Sequence, residues 1–179
     1  MSKGLQRSLS RGPASTVAMI KRTIVVNAVI NITGVDAAVD AGTAIIGDFP
    51  EGNILLFAAV AYVSVSAGTD AHVINNWNGD YAIGTVPQNN VDLSDAGEAN
   101  IIASTALDAG AGDKIAPATR ALFPNSSAAM TPLMLDNTDG SLEINLNLLV
   151  DDNVITDAEV GTFTVTGTLY LVYTVLGDD

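Results

Sequence analysis

The sequence predicts an all-β protein, an antiparallel sandwich of short strands carrying an extended basic N-terminal arm. Three observations lead there. Apolar residues recur with period two, the segments between them hold turn-forming residues, and the basic residues crowd one end of an otherwise acidic chain.

The alternation starts at Thr23–Thr33, where Ile24, Val26, Ala28, Ile30 and Ile32 share one face. Asn27, Asn31 and Thr33 share the other with Val25 and Val29. Thr43–Phe49, Ile54–Ser66, Asp80–Val86, Ile101–Ser104 and a weaker Leu133–Leu135 are further candidates. In Leu142–Leu148, Leu142, Ile144, Leu146 and Leu148 alternate with Glu143, Asn145 and Asn147. The last stretch is the clearest: Phe163, Val165, Leu169, Leu171, Tyr173 and Val175 alternate with threonines. β-branched and aromatic residues suit a pleated, half-buried surface, so these read as strands. Gly167, on the apolar face of that strand, marks a bulge or a close backbone approach.

Turn chemistry separates them. Pro50-Glu51-Gly52-Asn53, Asn76-Trp77-Asn78-Gly79, Asp95-Ala96-Gly97 and Asp136-Asn137-Thr138-Asp139-Gly140 supply residues that accept positive φ or cap their own backbone. Ala99–Ala109 and Ala116–Leu122 are the two places that leave room for one short helix. About eight short strands at this spacing predict a jelly roll over residues 23–179, with residues 1–22 as the arm.

Charge sharpens the division. Lys3, Arg7, Arg11, Lys21 and Arg22 are five of the seven basic residues, and no acid precedes Asp36, so the arm carries +5. From Thr23 onward only Lys114 and Arg120 oppose twenty acids, leaving the body at −18. Such a body repels phosphate, so nucleic acid is not an expected partner. An acidic protein surface suits the arm better, a neighbouring copy included. No apolar run approaches the roughly 18 residues of a spanning helix, and no membrane partner is expected. The chain has no cysteine, which removes disulfides, thiolate metal sites and cysteine nucleophiles. Its apolar residues are mostly aliphatic; aromatics are only 5%, which leaves few stacking platforms.

Catalytic equipment is sparse, and no enzyme activity, cofactor or metal is expected. His72 is the only histidine and lacks companion ligands or a nucleophile in its motif. Gly110-Ala111-Gly112-Asp113-Lys114 lacks the spacing and the Ser or Thr of a phosphate loop. Asp151, Asp152, Asp157 and Glu159 form one acidic cluster, and Asp136 with Asp139 another. Neither has the alternating ligand spacing of a calcium loop, so both read as solvated loops. Two carboxylates at a set separation would serve a glycosidase, but little here would line a sugar cleft. Trp77 is the candidate aromatic for an interface or for stacking on a sugar, and on it rests the alternative of a carbohydrate- or receptor-binding module.

Several phrases resemble a known family. Glu51-Gly52-Asn53-Ile54-Leu55-Leu56-Phe57, Gly79-Asp80-Tyr81-Ala82-Ile83-Gly84-Thr85, Asn100-Ile101-Ile102-Ala103-Ser104-Thr105-Ala106-Leu107 and the tail Gly161–Leu171 are similar to the jelly-roll decoration (cement) proteins of tailed bacteriophage capsids. The resemblance runs from Thr23 to Asp179 and implies a virion structural protein on the capsid exterior. It also implies the major capsid protein as partner, self-association as a dimer or trimer, and no catalytic residues. The arm is the expected anchor, through Lys3, Arg7, Arg11, Val17, Met19, Lys21 and Arg22, with Val17–Ile20 as a strand-pairing segment.

Overall fold

A computed structural model describes residues 18–35, 38–88, 92–93, 97–122 and 132–176. Among them are nine strands: β1 Ile20–Thr33, β2 Asp40–Asp48, β3 Gly52–Ser66, β4 Asn78–Gly84, β5 Ile102–Asp108, β6 Ile115–Leu122, β7 Leu133–Asn137, β8 Glu143–Val150 and β9 Val160–Val175. The described residues contain no helix. The two alanine-rich stretches that left room for one became strands β5 and β6 instead. Alanine fits either structure, and here cross-strand pairing with β4 and β3 decides.

One sheet has the order β1-β9-β3-β6, with β7 also on β3; the other has the order β2-β8-β4-β5. Every pairing is antiparallel. With β7 set aside, the partners β1–β9, β2–β8, β3–β6 and β4–β5 nest inside one another. That is a long antiparallel ribbon rolled up so that its pairs fall alternately in two sheets, the jelly-roll topology. The addition is β7, which pairs with Gly52–Leu56 while β6 pairs with Val60–Ser66 farther along the same strand.

The core lies between the sheets, where period two places it. Ile24, Val26, Ile30 and Ile32 of β1, Phe163, Val165, Leu169 and Leu171 of β9, and Ile54, Leu56, Ala61, Val63 and Val65 of β3 face Ile144, Leu146, Leu148 and Val150 of β8. Two edge-to-face aromatic pairs anchor it: Trp77–Phe163 at 5.3 Å and Phe49–Tyr173 at 5.7 Å. Each fully buried aliphatic or aromatic side chain contributes about 1.5–3 kcal/mol. Gly167 is where the backbones close in. A Cβ there would stand 2.0 Å from the Tyr62 carbonyl oxygen.

β8 is buried on both faces. Its outer face is covered by the connection from β4 to β5, where Leu93 and Ala99 pack with Ala82 and Leu149. Asn147 pins that connection. Its Nδ2 donates to the carbonyls of Val86 (3.1 Å) and Glu98 (2.9 Å). Its Oδ1 accepts from the Gln88 amide (2.9 Å) and the Thr43 hydroxyl (2.8 Å). Asn137 does the same at the other end, donating to Phe49 and Pro50 carbonyls and accepting from the Leu142 amide.

Candidate interaction surface

The sequence reading divided charge between arm and body. The topology divides it again, within the body. β1, β9, β3 and β6 contain no Asp or Glu over their whole length. In the other sheet every strand has at least one: Asp40 and Asp48 in β2, Asp80 in β4, Asp108 in β5 and Glu143 in β8. Strands disfavour acids in general, but the contrast between the two sheets goes beyond that preference.

The outer face of the acid-free sheet can be read row by row from the pairing. Val25, Thr168, Tyr62 and Arg120 lie side by side, as do Thr23, Tyr170, Val60 and Leu122. Asn27, Thr166 and Ser64 form a third row, and Val29, Thr164, Ser66 and Ile115 a fourth. Val25 is 77% exposed, Val29 59%, Tyr170 46% and Tyr62 44%. The face is thus broad, uncharged apart from Arg120 and Lys21, and dotted with exposed apolar and aromatic side chains. Two acids stand at its margins: Asp136 of β7, at a far corner opposite Asn53, and Asp70, whose carboxylate accepts from the Thr162 amide of β9.

Of the predicted arm contacts, Lys3, Arg7, Arg11 and Val17 lie outside the described residues. Met19, Lys21 and Arg22 are described, and β1 begins at Ile20, three residues before the alternation becomes regular. Met19 is 60% exposed, and Lys21 stands on the outer face of β1. Arg22 is engaged within its own chain: its guanidinium lies 3.2 Å from the Asp48 carboxylate and donates to the Asp48 carbonyl, tying β1 to the end of β2. The Thr174 hydroxyl donates to the Ala18 carbonyl at 3.1 Å, so the chain enters the fold at the edge of the acid-free sheet.

Trp77 must be corrected as a stacking platform. It is fully buried, its ring edge-on to Phe163 and its Nε1 donating to the Lys114 carbonyl at 3.0 Å. The polar Asn76 beside it belongs to the turn and the exposed Asn78 opens β4, while the indole closes the end of the core. Its neighbours make a seam with the loop before β6. The Gly112 amide donates to the Asn76 side chain and the Asn76 amide to the Asp113 carbonyl (2.9 Å). The Gly112 amide and Asp113 carbonyl of the glycine-rich loop therefore serve the fold.

The other candidate chemistry also resolves into turns. Asp136 caps Thr138 and Asp139 caps Ser141, and the Ser141 hydroxyl and amide hold the Asp139 carboxyl below its ordinary range. Asp70 accepts from the His72 amide (2.9 Å) and the Thr162 amide (2.8 Å); these bonds, the His72 one foremost, depress its pKa. His72 Nδ1 stands 3.7 Å from Glu159, both half-exposed. Among the described residues no three acidic or histidine side chains converge as metal ligands. Asp40 and Glu98 are the buried acids among the described residues. In Asp40, Oδ1 accepts from the Val35 amide at 2.8 Å, and Oδ2 has no partner. Burial, then the charges of Asp152 and Asp157, push its pKa up against the lowering Val35 bond.

The sequence matches no protein-family model and no characterised protein. Among solved structures it is similar to chains in two structures of infectious bursal disease virus. The Gx strain gives 9% identity and a TM-score of 0.35, over 90% of this chain and 34% of that one. The Gt strain gives 10% and 0.38, over 86% and 32%. This chain spans about a third of the length of either. At these scores neither match assigns a family.

Proposed function

We propose that the chain is a virion structural protein that decorates and stabilises the outside of a bacteriophage capsid. The observation that supports this most is the one-sided charge. A sandwich with acids in every strand of one sheet and none in β1, β9, β3 and β6 of the other has a face to bury against protein and a face to present to solvent. Acid-free strands can lie against a capsid lattice without desolvating carboxylates, which is costly for unpaired charges. The acidic remainder keeps particles soluble and mutually repelling. Inside the shell it would face packaged phosphate, so the exterior is the favoured side.

The arm supplies the second contact. It carries the opposite charge to the body and joins it at the edge of the acid-free sheet, so it reaches neighbouring coat-protein or sister-copy surfaces from there. The partners are the major capsid protein and further copies of this chain. The resemblance of the body's phrases to decoration proteins agrees with this reading.

The test is co-sedimentation with capsids of the encoding phage stripped of this protein. The full chain should pellet with them. A chain lacking residues 1–17, which leaves β1 whole, should fold and melt as before but bind at least tenfold more weakly, about 1.4 kcal/mol. Equal binding by both removes the arm from the account, and binding by neither removes the decoration role.

A further inference from the structure

Sheet edges are sites of unwanted strand addition, and proteins guard them with charges, prolines, bulges or brevity. Three of this protein's four edges are guarded. β2 carries Asp40 and Asp48 and a bulge between Ile45 and Gly47. β5 is short, ends in Asp108 and faces a register shift between Tyr81 and Ile83. β6 contains Pro117 and faces a shift between Val63 and Val65, and β7, beside it on the same edge, has five residues. β1 has no proline, no bulge and no shortness to guard it, and its two charges, Lys21 and Arg22, stand only at its start. It pairs with β9 through fourteen consecutive positions without a shift. From Thr23 to Thr33 it has no charge, proline or glycine. Among the described residues no backbone hydrogen bond joins it to any element but β9.

The geometry points to β1 as a self-pairing edge: two copies join their β1 strands antiparallel about a two-fold axis at Asn27, fusing two acid-free sheets into one. A two-fold interface must be self-complementary, and this register is. It sets Val25 of each copy opposite Val29 of the other, covering the two most exposed valines of the strand. It sets Lys21 opposite Thr33 of the second copy, next to that copy's Glu159, which precedes the Val160 paired with Thr33. The basic start of β1 thus meets the second copy's Glu159, and the two-fold axis makes that contact twice. For two bodies at −18 each, this is also the approach that brings no strand carboxylates together.

This inference does not depend on the virion role, since it concerns the purified chain alone. Light scattering of the full chain should give twice its 18.4 kDa mass. Asn27→Cys provides the only thiol in the chain and should oxidise to a covalent dimer, while Thr168→Cys, on the same face but in β9, should not. Val25→Lys with Val29→Lys should give monomers, and Val25→Asp with Val29→Lys should restore dimers. All these side chains point out of the core, and unchanged circular dichroism melts confirm folding. A monomeric wild type, a trimer, equal cross-linking from both cysteines, or dimers in the double-lysine variant would each overturn the proposal.

Discussion

Replacing Asn147 with alanine should detach the connection from β4 to β5 from the outside of the smaller sheet. Four hydrogen bonds go at once: two donated to the Val86 and Glu98 carbonyls, two accepted from the Gln88 amide and Thr43 hydroxyl. The bond to Glu98 is fully buried and the others partly so. A buried group left unpaired costs about 1–3 kcal/mol and a partly solvated bond about 0.5–1.5. Allowing for overlap, the loss should be about 3–5 kcal/mol. For a domain of this size each kcal/mol lowers Tm by about 2–4 °C, so calorimetry should show a fall of about 6–20 °C. The Gln88 amide should also exchange faster with solvent. Asn145, two residues away on the same face of β8, is the control. It is buried with its Nδ2 unpartnered, so Asn145→Leu should be neutral or stabilising. A fall of under about 3 °C for Asn147→Ala, or an equal loss for Asn145→Leu, would refute the reasoning.

Two further substitutions probe the frame. Asp40→Asn keeps the acceptor for the Val35 amide and removes a buried charge. Because the folded-state pKa is raised above 3.8, ionisation destabilises the fold above that raised value, and stability returns as pH falls through it. The variant should therefore melt higher than wild type at pH 7, with the advantage shrinking towards pH 4; an advantage independent of pH would contradict this. Gly167→Ala puts a methyl against the β3 backbone and should cost about 2–3 kcal/mol in urea unfolding. Gly110→Ala, with open space around it, should cost almost nothing, and equal effects would remove the close-approach argument.

The strands were legible because the residues that β1, β8 and β9 send between the sheets sit at the alternate positions their pleats demand. What blurred the pattern was alanine. In β5 and β6 it marks neither face clearly, and only the partners β4 and β3 settle those segments as strands. Trp77 was misjudged from its polar neighbours, since a turn can be solvated while one side chain reaches inward to Phe163. The interaction surface was hidden for a different reason. The absence of acids from four separate stretches is unremarkable along the chain, and becomes a face only when β1, β9, β3 and β6 are known to be neighbours.

In the proposed role, this acid-free face is what the body turns towards the capsid. Hydrogen exchange of the protein free and bound to capsids tests it directly. Binding should slow exchange in β3 and β9 around Tyr62 and Thr168, and leave β4 and β5 unchanged. Protection concentrated on the β2-β8-β4-β5 sheet, or none on either, would contradict it.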